Sequence, residues 1–420
     1  MSNSPRMILD GLCPPRAATA PRVLSLRLLP LALLVAGLGS GTAMARPSDA
    51  LHVYGSVGYF HDDNLFRLPD DAPGYDNQRE DSGRQTVIGA FFDKTYGRQK
   101  VFLQLKRSKV KFEHFKQLDY NGKDYLGRLN WELGNHLEGS AGASYAQTLA
   151  PYTDLRTRER NLRIQRREFF DGSWRFHPSW RMRVGTQRDR FTYELPIQSI
   201  NDREDTNSEI GVDYLPRTGS TAGLVARHIK GRYLKDRVFN GVRLDDDFTQ
   251  DELKVKIDWR VTPISTVQVL AGRVKRKHEG VNRQRDSSGF NGRVTVSSVP
   301  RAKLRVNTAV FREYMPIEST IVSYALSRGA IASASWDATA KIRVEGSLSS
   351  ERRAYETPFN LAGADLSDKI RRASLNATWS LQPTVQVSAG LSHENRDGSI
   401  FLGSGSYKAN TVSLNANAQF

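Results

Sequence analysis

Leu253-Lys254-Val255-Lys256-Ile257-Asp258-Trp259-Arg260-Val261 puts every apolar residue on one side of an extended chain and every charge on the other. Side chains alternate across a strand with period two, so this stretch reads as a strand with one greasy and one wet face. The pattern recurs downstream. Leu304, Val306, Thr308 and Val310 oppose Lys303, Arg305 and Asn307, and Ile342, Val344, Gly346 and Leu348 oppose Lys341, Arg343 and Glu345. Ala373, Leu375, Ala377, Trp379 and Leu381 oppose Ser374, Asn376, Thr378 and Ser380.

Alternation by itself also fits a soluble sandwich, and the two faces decide between them. The apolar side is thin, with Ala, Gly, Ser and Thr between single Leu or Val residues, a poor core for two packed sheets but an adequate lipid surface. The polar side carries Lys, Arg, Asp and Glu at strand centres. A lipid-facing Arg or Lys at the bilayer midplane costs about 2–4 kcal/mol, so these charges must point into a wet lumen. A register slip of one residue would turn them all outward.

The turns agree. Short turns recur about every forty residues, at Tyr96-Gly97-Arg98, Gly134-Asn135-His136, His177-Pro178-Ser179 and Pro216-Arg217-Thr218-Gly219. The series continues at Thr262-Pro263-Ile264, Val299-Pro300-Arg301, Trp336-Asp337-Ala338-Thr339 and Gln382-Pro383-Thr384. Trp131, Trp174, Trp180, Trp259, Trp336 and Trp379, all the tryptophans of the chain, flank five of these turns. An indole is most stable at the lipid headgroup level, so the clustering predicts a periplasmic aromatic girdle. Eight turns join sixteen strands; an opening strand near 51–60 and a closing strand near 406–420 bring the expected number to about 18. The fold class is all-β: a transmembrane antiparallel up-and-down β-barrel. The longer polar connections, near 61–83, 111–123, 149–163, 190–206, 231–248, 277–287, 313–320, 353–369 and 396–404, are expected on the opposite side. The least defined strand falls within 321–335.

Residues 1–45 read as a cleaved signal peptide. Arg6, Arg16, Arg22 and Arg27 precede a short apolar run, Leu28 to Gly37, and Ala43-Met44-Ala45 supplies small residues at the cleavage positions. The run is too short to span as a helix, which needs about 20 residues. Residues 46–420 then form the barrel, with both termini in the periplasm. The sole cysteine, Cys13, leaves with the signal, so no disulfide is expected. The final decapeptide, Thr411 to Phe420, alternates and ends on an aromatic carboxylate; Phe420 resembles the signal read by the barrel assembly machinery.

The 420-residue chain carries a net charge of +16, with Lys and Arg spread over alternating strand positions rather than gathered in one patch, which argues against a nucleic-acid partner. Lys254, Lys256, Arg260, Lys303, Arg305, Lys341 and Arg343 are expected to face inward on the tenth, thirteenth and fifteenth strands of one wall. A positive lumen favours anions. Pairing across strands with Asp258 and Glu345 is the plain alternative. Both readings stand at this level.

Val57-Gly58-Tyr59-Phe60-His61-Asp62-Asp63-Asn64-Leu65-Phe66-Arg67-Leu68-Pro69 resembles the N-terminal signature of the EpsL-type outer-membrane barrels, themselves similar to the broader beta-barrel porin 2 group. The run from Asp62 through Asp63, Asn64, Leu65 and Phe66 to Arg67 carries the resemblance. It implies a part in exopolysaccharide biosynthesis or export at the Gram-negative outer membrane, with outer-membrane lipid, polysaccharide and export-complex proteins as partners. It implies no catalytic set.

Other chemistry is thinly represented. Asp62, Asp63, Asp70 and Asp71, and Asp245 to Asp247, offer hard oxygens to Ca²⁺ but lack the spacing of a calcium loop; solvated loop charge is the simpler reading. His52, His136, His177 and His393 have no serine partner that the sequence can place, and there is neither a Gly-rich phosphate loop nor a paired-Cys metal site. No enzymatic activity, cofactor or metal is expected. Three functions follow: exopolysaccharide export, passive diffusion of anions, or polymer anchoring on the outer loops without transport.

Overall fold

The computed structural model describes residues 50–239, 242–278, 286–319, 322, 324–355, 366–399 and 405–420. The expected signal segment 1–45 lies outside them, as do parts of five long connections. Eighteen antiparallel strands form one closed sheet among the described residues. The first nine are β1 (Leu51–Asp62), β2 (Asp81–Tyr96), β3 (Gln99–Phe112), β4 (Tyr120–Leu133), β5 (Leu137–Leu149), β6 (Leu162–His177), β7 (Trp180–Tyr193), β8 (Arg203–Tyr214) and β9 (Thr221–Tyr233). The second nine are β10 (Phe248–Thr262), β11 (Ser265–His278), β12 (Ser287–Arg301), β13 (Leu304–Pro316), β14 (Tyr324–Asp337), β15 (Ile342–Tyr355), β16 (Ser367–Gln382), β17 (Val385–Asp397) and β18 (Tyr407–Gln419). Each strand pairs with its neighbours in sequence, and β1 pairs with β18 from Tyr54↔Gln419 to Asp62↔Thr411, which closes the ring. Closure removes both sheet edges, as a lipid environment demands of any sheet.

The short turns lie at one end. Gly97, at φ +60°, leads a two-residue loop between the paired residues Tyr96 and Gln99. A type II′ turn requires a positive φ at that first central position, which glycine adopts without steric cost. The other end carries the long loops, with two 3-10 turns (Lys116–Leu118 and Pro196–Asn201) and a small ribbon pairing Arg237–Phe239 with Val242–Leu244.

The faces sort as the alternation predicts. Leu253, Leu348 and Leu391 are 60%, 62% and 54% exposed on the outside, while Lys254, Lys256 and Glu351 of the same or nearby strands are buried on the inside. A continuous exposed apolar band of this extent suits a bilayer, not water. No helix among the described residues is long and apolar enough to cross a membrane.

Two features depart from the expected outline. The strands run 12 to 16 residues, longer than the 9–11 that a tilted span needs. They continue past the apolar band because ladder hydrogen bonds need no greasy face, and polar residues such as Arg188, Lys230 and Lys275 continue the outward positions there. At the other margin, β14 runs through Asp337, so the seventh turn falls on 338–341 rather than 336–339.

The second feature is a seam. β11 and β12 pair as far as Arg276↔Ser287, whereas β12 and β13 pair only from Gly292↔Arg312 down. Above that point the β13–β14 hairpin leans inward over β12. Tyr324 of β14 stacks on His278 of β11 at 5.3 Å and 17°, with the Arg276 guanidinium 4.2 Å over its ring. Val274, Tyr314 and Leu326 complete this apolar contact.

Candidate functional site: inner wall and loop-side mouth

A chain of ion pairs climbs the inner wall from β7 to β11. Near the short-turn end, Asp213 of β8 accepts from Arg181 Nη2 at 2.8 Å and from Arg183 Nε at 2.7 Å. Arg227 Nη2 lies 3.2 Å from Glu209, and its Nη1 lies 3.2 Å from Glu252. Lys254 Nζ reaches Glu252 at 2.7 Å, and Gln250 links Glu252 to Arg276 through bonds of 2.8 and 3.3 Å. Lys256 lies 3.5 Å from Asp258. Buried charge persists only where it is paired and hydrogen-bonded, and these groups meet that condition. In this cluster Arg181, Arg183, Arg227, Lys254, Lys256 and Arg276 outnumber Glu209, Asp213, Glu252 and Asp258, so the wall retains a positive excess.

The expected lumen residues separate into two levels. Lys254 and Lys256 lie mid-wall on the inner face of β10. Arg260 is exposed at the short-turn edge, its guanidinium beside Gly219. Arg305 and Arg343 share Asp337, at 3.2 and 2.5 Å. Lys303 and Lys341 are exposed outside the strands, in the turns before β13 and β15, so the seven do not form one patch. The Trp side chains stand at the short-turn end, with Trp174, Trp180, Trp259, Trp336 and Trp379 each more than two-fifths exposed. Trp131 is half-buried because it lies over Gly139, where an added Cβ would come 2.5 Å from the ring. Phe420 closes the ring through backbone bonds to Val53, 2.7 Å from its N–H and 3.0 Å to its carbonyl.

At the other end two loops cross the mouth. Loop 3 (150–161) leaves from β5 and returns to β6, yet Asp154 meets Arg396 of β17 at 3.0 Å and Arg353 of β15 at 3.5 Å. Those strands stand on the far side of the ring. Arg396 is 1% exposed, bonded also to Asp368 and to the Tyr355 hydroxyl. Burial alone would push the Asp154 carboxyl up; Arg396 and Arg353 overcome it and hold the carboxyl below its usual range. Loop 7, between β13 and β14, crosses the other way: Glu318 pairs with Arg163 of β6 at 2.7 Å, and its carbonyl accepts from Gln198 at 2.8 Å. Asp154, Arg353, Arg396, Glu318 and Arg163 were invisible to local pattern, since each partnership spans at least 155 residues.

The Asp62–Arg67 segment is the root of this arrangement. Asp62 accepts the Asn64 N–H at 3.0 Å, an Asx turn, and takes the Arg67 guanidinium at 2.8 and 2.9 Å. Asn64 is 2% exposed and spends its amide on the Leu68 and Lys408 carbonyls. Asp63 accepts from the Asn410 amide at 2.7 Å. Phe66 is fully buried, edge-on to Phe115, Tyr75 and Tyr152 at 4.7 to 4.9 Å, with Leu65 in the same cluster. Loops 1, 2 and 3 are thereby pinned together at the base of the Asp154 crossing. In the other acidic run, Asp247 accepts the Tyr233 N–H and Asp245 the Asp247 N–H. Among the described residues no group of three His, Cys, Asp or Glu is placed to hold a metal.

Comparison with family models and with curated proteins finds no match. Solved structures do match. OccAB3 of Acinetobacter baumannii is 11% identical over 88% of this chain and 98% of its own, with a TM-score of 0.47. A BenF-like porin from Pseudomonas fluorescens Pf-5 is 11% identical over 88% and 98%, at 0.49. OccK2 (OpdF) of Pseudomonas aeruginosa, in complex with glucuronate, is 12% identical over 88% and 98%, at 0.48. Likeness at that level adds nothing to the strand order and closure described above.

Proposed function

We propose that this chain is an outer-membrane diffusion porin that prefers small anions. The observation that carries the reading is the mouth. Loops 3 and 7 are ion-paired across it, above a wall whose cations outnumber its carboxylates. A narrowed passage whose wall carries a net positive charge discriminates solutes by charge and size. The apolar band with indoles at its short-turn edge supports the outer membrane as the site, with the turns and both termini toward the periplasm.

Exopolysaccharide export is the weaker reading. What supports it is the segment 57–69, but the residues that carry that resemblance, Asp62 to Arg67, are engaged in pinning loops 1 to 3. A polymer strand would also need the Asp154 and Glu318 crossings undone. Planar-bilayer recording under a KCl gradient tests the choice. Chloride should permeate better than potassium, and Lys254→Gln with Lys256→Gln should bring the ratio toward unity. A silent barrel, or one that prefers potassium, would overturn the porin reading.

A further inference from the structure

The outer face holds charges that the lumen does not explain. At one level of the wall Arg328 of β14 stands directly opposite Arg352 of β15, Arg352 opposite Lys369 of β16, and Lys369 opposite Asp397 of β17. All four face outward and are exposed. Like charges directly opposite each other destabilise a sheet. Among the described residues none of the three cations forms an ion pair; Arg352 bonds only the Ser367 hydroxyl, at 3.2 Å. Together with Ser350 and Asp397 they line a recess of about 610 Å³ on the outer wall.

The height of the row identifies its surroundings. Arg328 lies eight residues from Trp336 on the same face of β14. Eight residues rise about 27 Å along the strand, which a tilt of roughly 40° reduces to about 20 Å along the membrane normal. The apolar band of such barrels is about 25 Å tall, so the backbone of the row lies about 5 Å inside its loop-side edge, a distance that long Arg and Lys side chains span to place their charges among the headgroups of that leaflet. Arg166 and Arg190, opposite each other on β6 and β7, mark a second such recess on another part of the wall.

We propose that the Arg328–Arg352–Lys369 row binds the phosphate groups of an anionic lipid headgroup, holding one lipid against β14–β16. Two planar guanidiniums and an ammonium match a phosphate's acceptor oxygens and relieve the repulsion between neighbours. The site rests on the transmembrane barrel alone and is independent of what the lumen passes.

The full-length barrel in zwitterionic detergent, titrated with a bisphosphorylated glycolipid, its dephosphorylated form and inorganic phosphate, tests it by native mass and by melting temperature. The wild type should retain the phosphorylated lipid and melt higher with it. R328Q/R352Q/K369Q should bind about tenfold more weakly, while R98Q/R217Q/R301Q, at three short turns, should bind as the wild type does. Without lipid the first variant should melt no lower than wild type, because like charges have been removed. Should it fail to fold, K369Q alone should still weaken retention. Wild-type affinity in the row variants, an equal loss in the turn variant, retention of the dephosphorylated lipid, or displacement by inorganic phosphate at matched concentration would each overturn the assignment.

Discussion

Asp154 is one carboxylate on a loop, yet it fixes how that loop crosses the mouth. Its hold on Arg396 and Arg353 depends on its charge. Because the folded value is depressed below the ordinary one near 3.9, the attachment is fully present above that pH. It is lost only as pH falls through the depressed value. Conductance recorded from pH 8 to 5 should therefore show no gating from this pair. Asp154→Asn should give fluctuating currents across the whole range, since buried Arg396 loses one partner while Asp368 keeps it in place. Steady wild-type currents from the variant would mean that loop 3 is held by other contacts. Nothing in the sequence near Asp154 marks it, because its partners lie at residues 353 and 396.

The elements divide by how local their causes are. The strands follow from the period-two pattern, and their register follows from keeping Lys254 and Glu252 inside and Leu253 outside. The inward lean of the β13–β14 hairpin does not: it depends on Tyr324 finding His278 and Arg276 three strands away. The Asp62–Arg67 turn is intermediate. Its Asx geometry is local, but Phe66 gains its burial from loops 2 and 3. Truncating a buried Phe to Ala costs about 3–5 kcal/mol, and here the loss falls on the loops rather than the ring. Phe66→Ala should thus expose loops 1 to 3 to limited proteolysis while the barrel band on an unboiled gel stays put. A barrel that itself fails to form would place Phe66 in folding of the wall instead.

At the scale of the molecule the ring closes through β1 and β18, with Phe420 tied to Val53, so the fold has no edge at which to open. Such a sheet should resist detergent until heated. Boiled and unboiled samples should migrate differently, and identical migration would be incompatible with a closed barrel. The chain's large positive charge divides in two at this scale, with part on the lumen wall and part on the outer face toward the long loops. Net charge alone gives no hint of that division.

Alternation, turn spacing and the indoles were enough to determine an antiparallel barrel of about eighteen strands with a wet interior, because strand period and lipid cost act between neighbouring residues and bilayer; the closed ring fixed the number. Which of its charges meet was decided only in the closed ring. Asp154 with Arg396 and Glu318 with Arg163 are brought together across the mouth by ring closure, and Coulomb attraction selects among groups by distance in space, not along the chain.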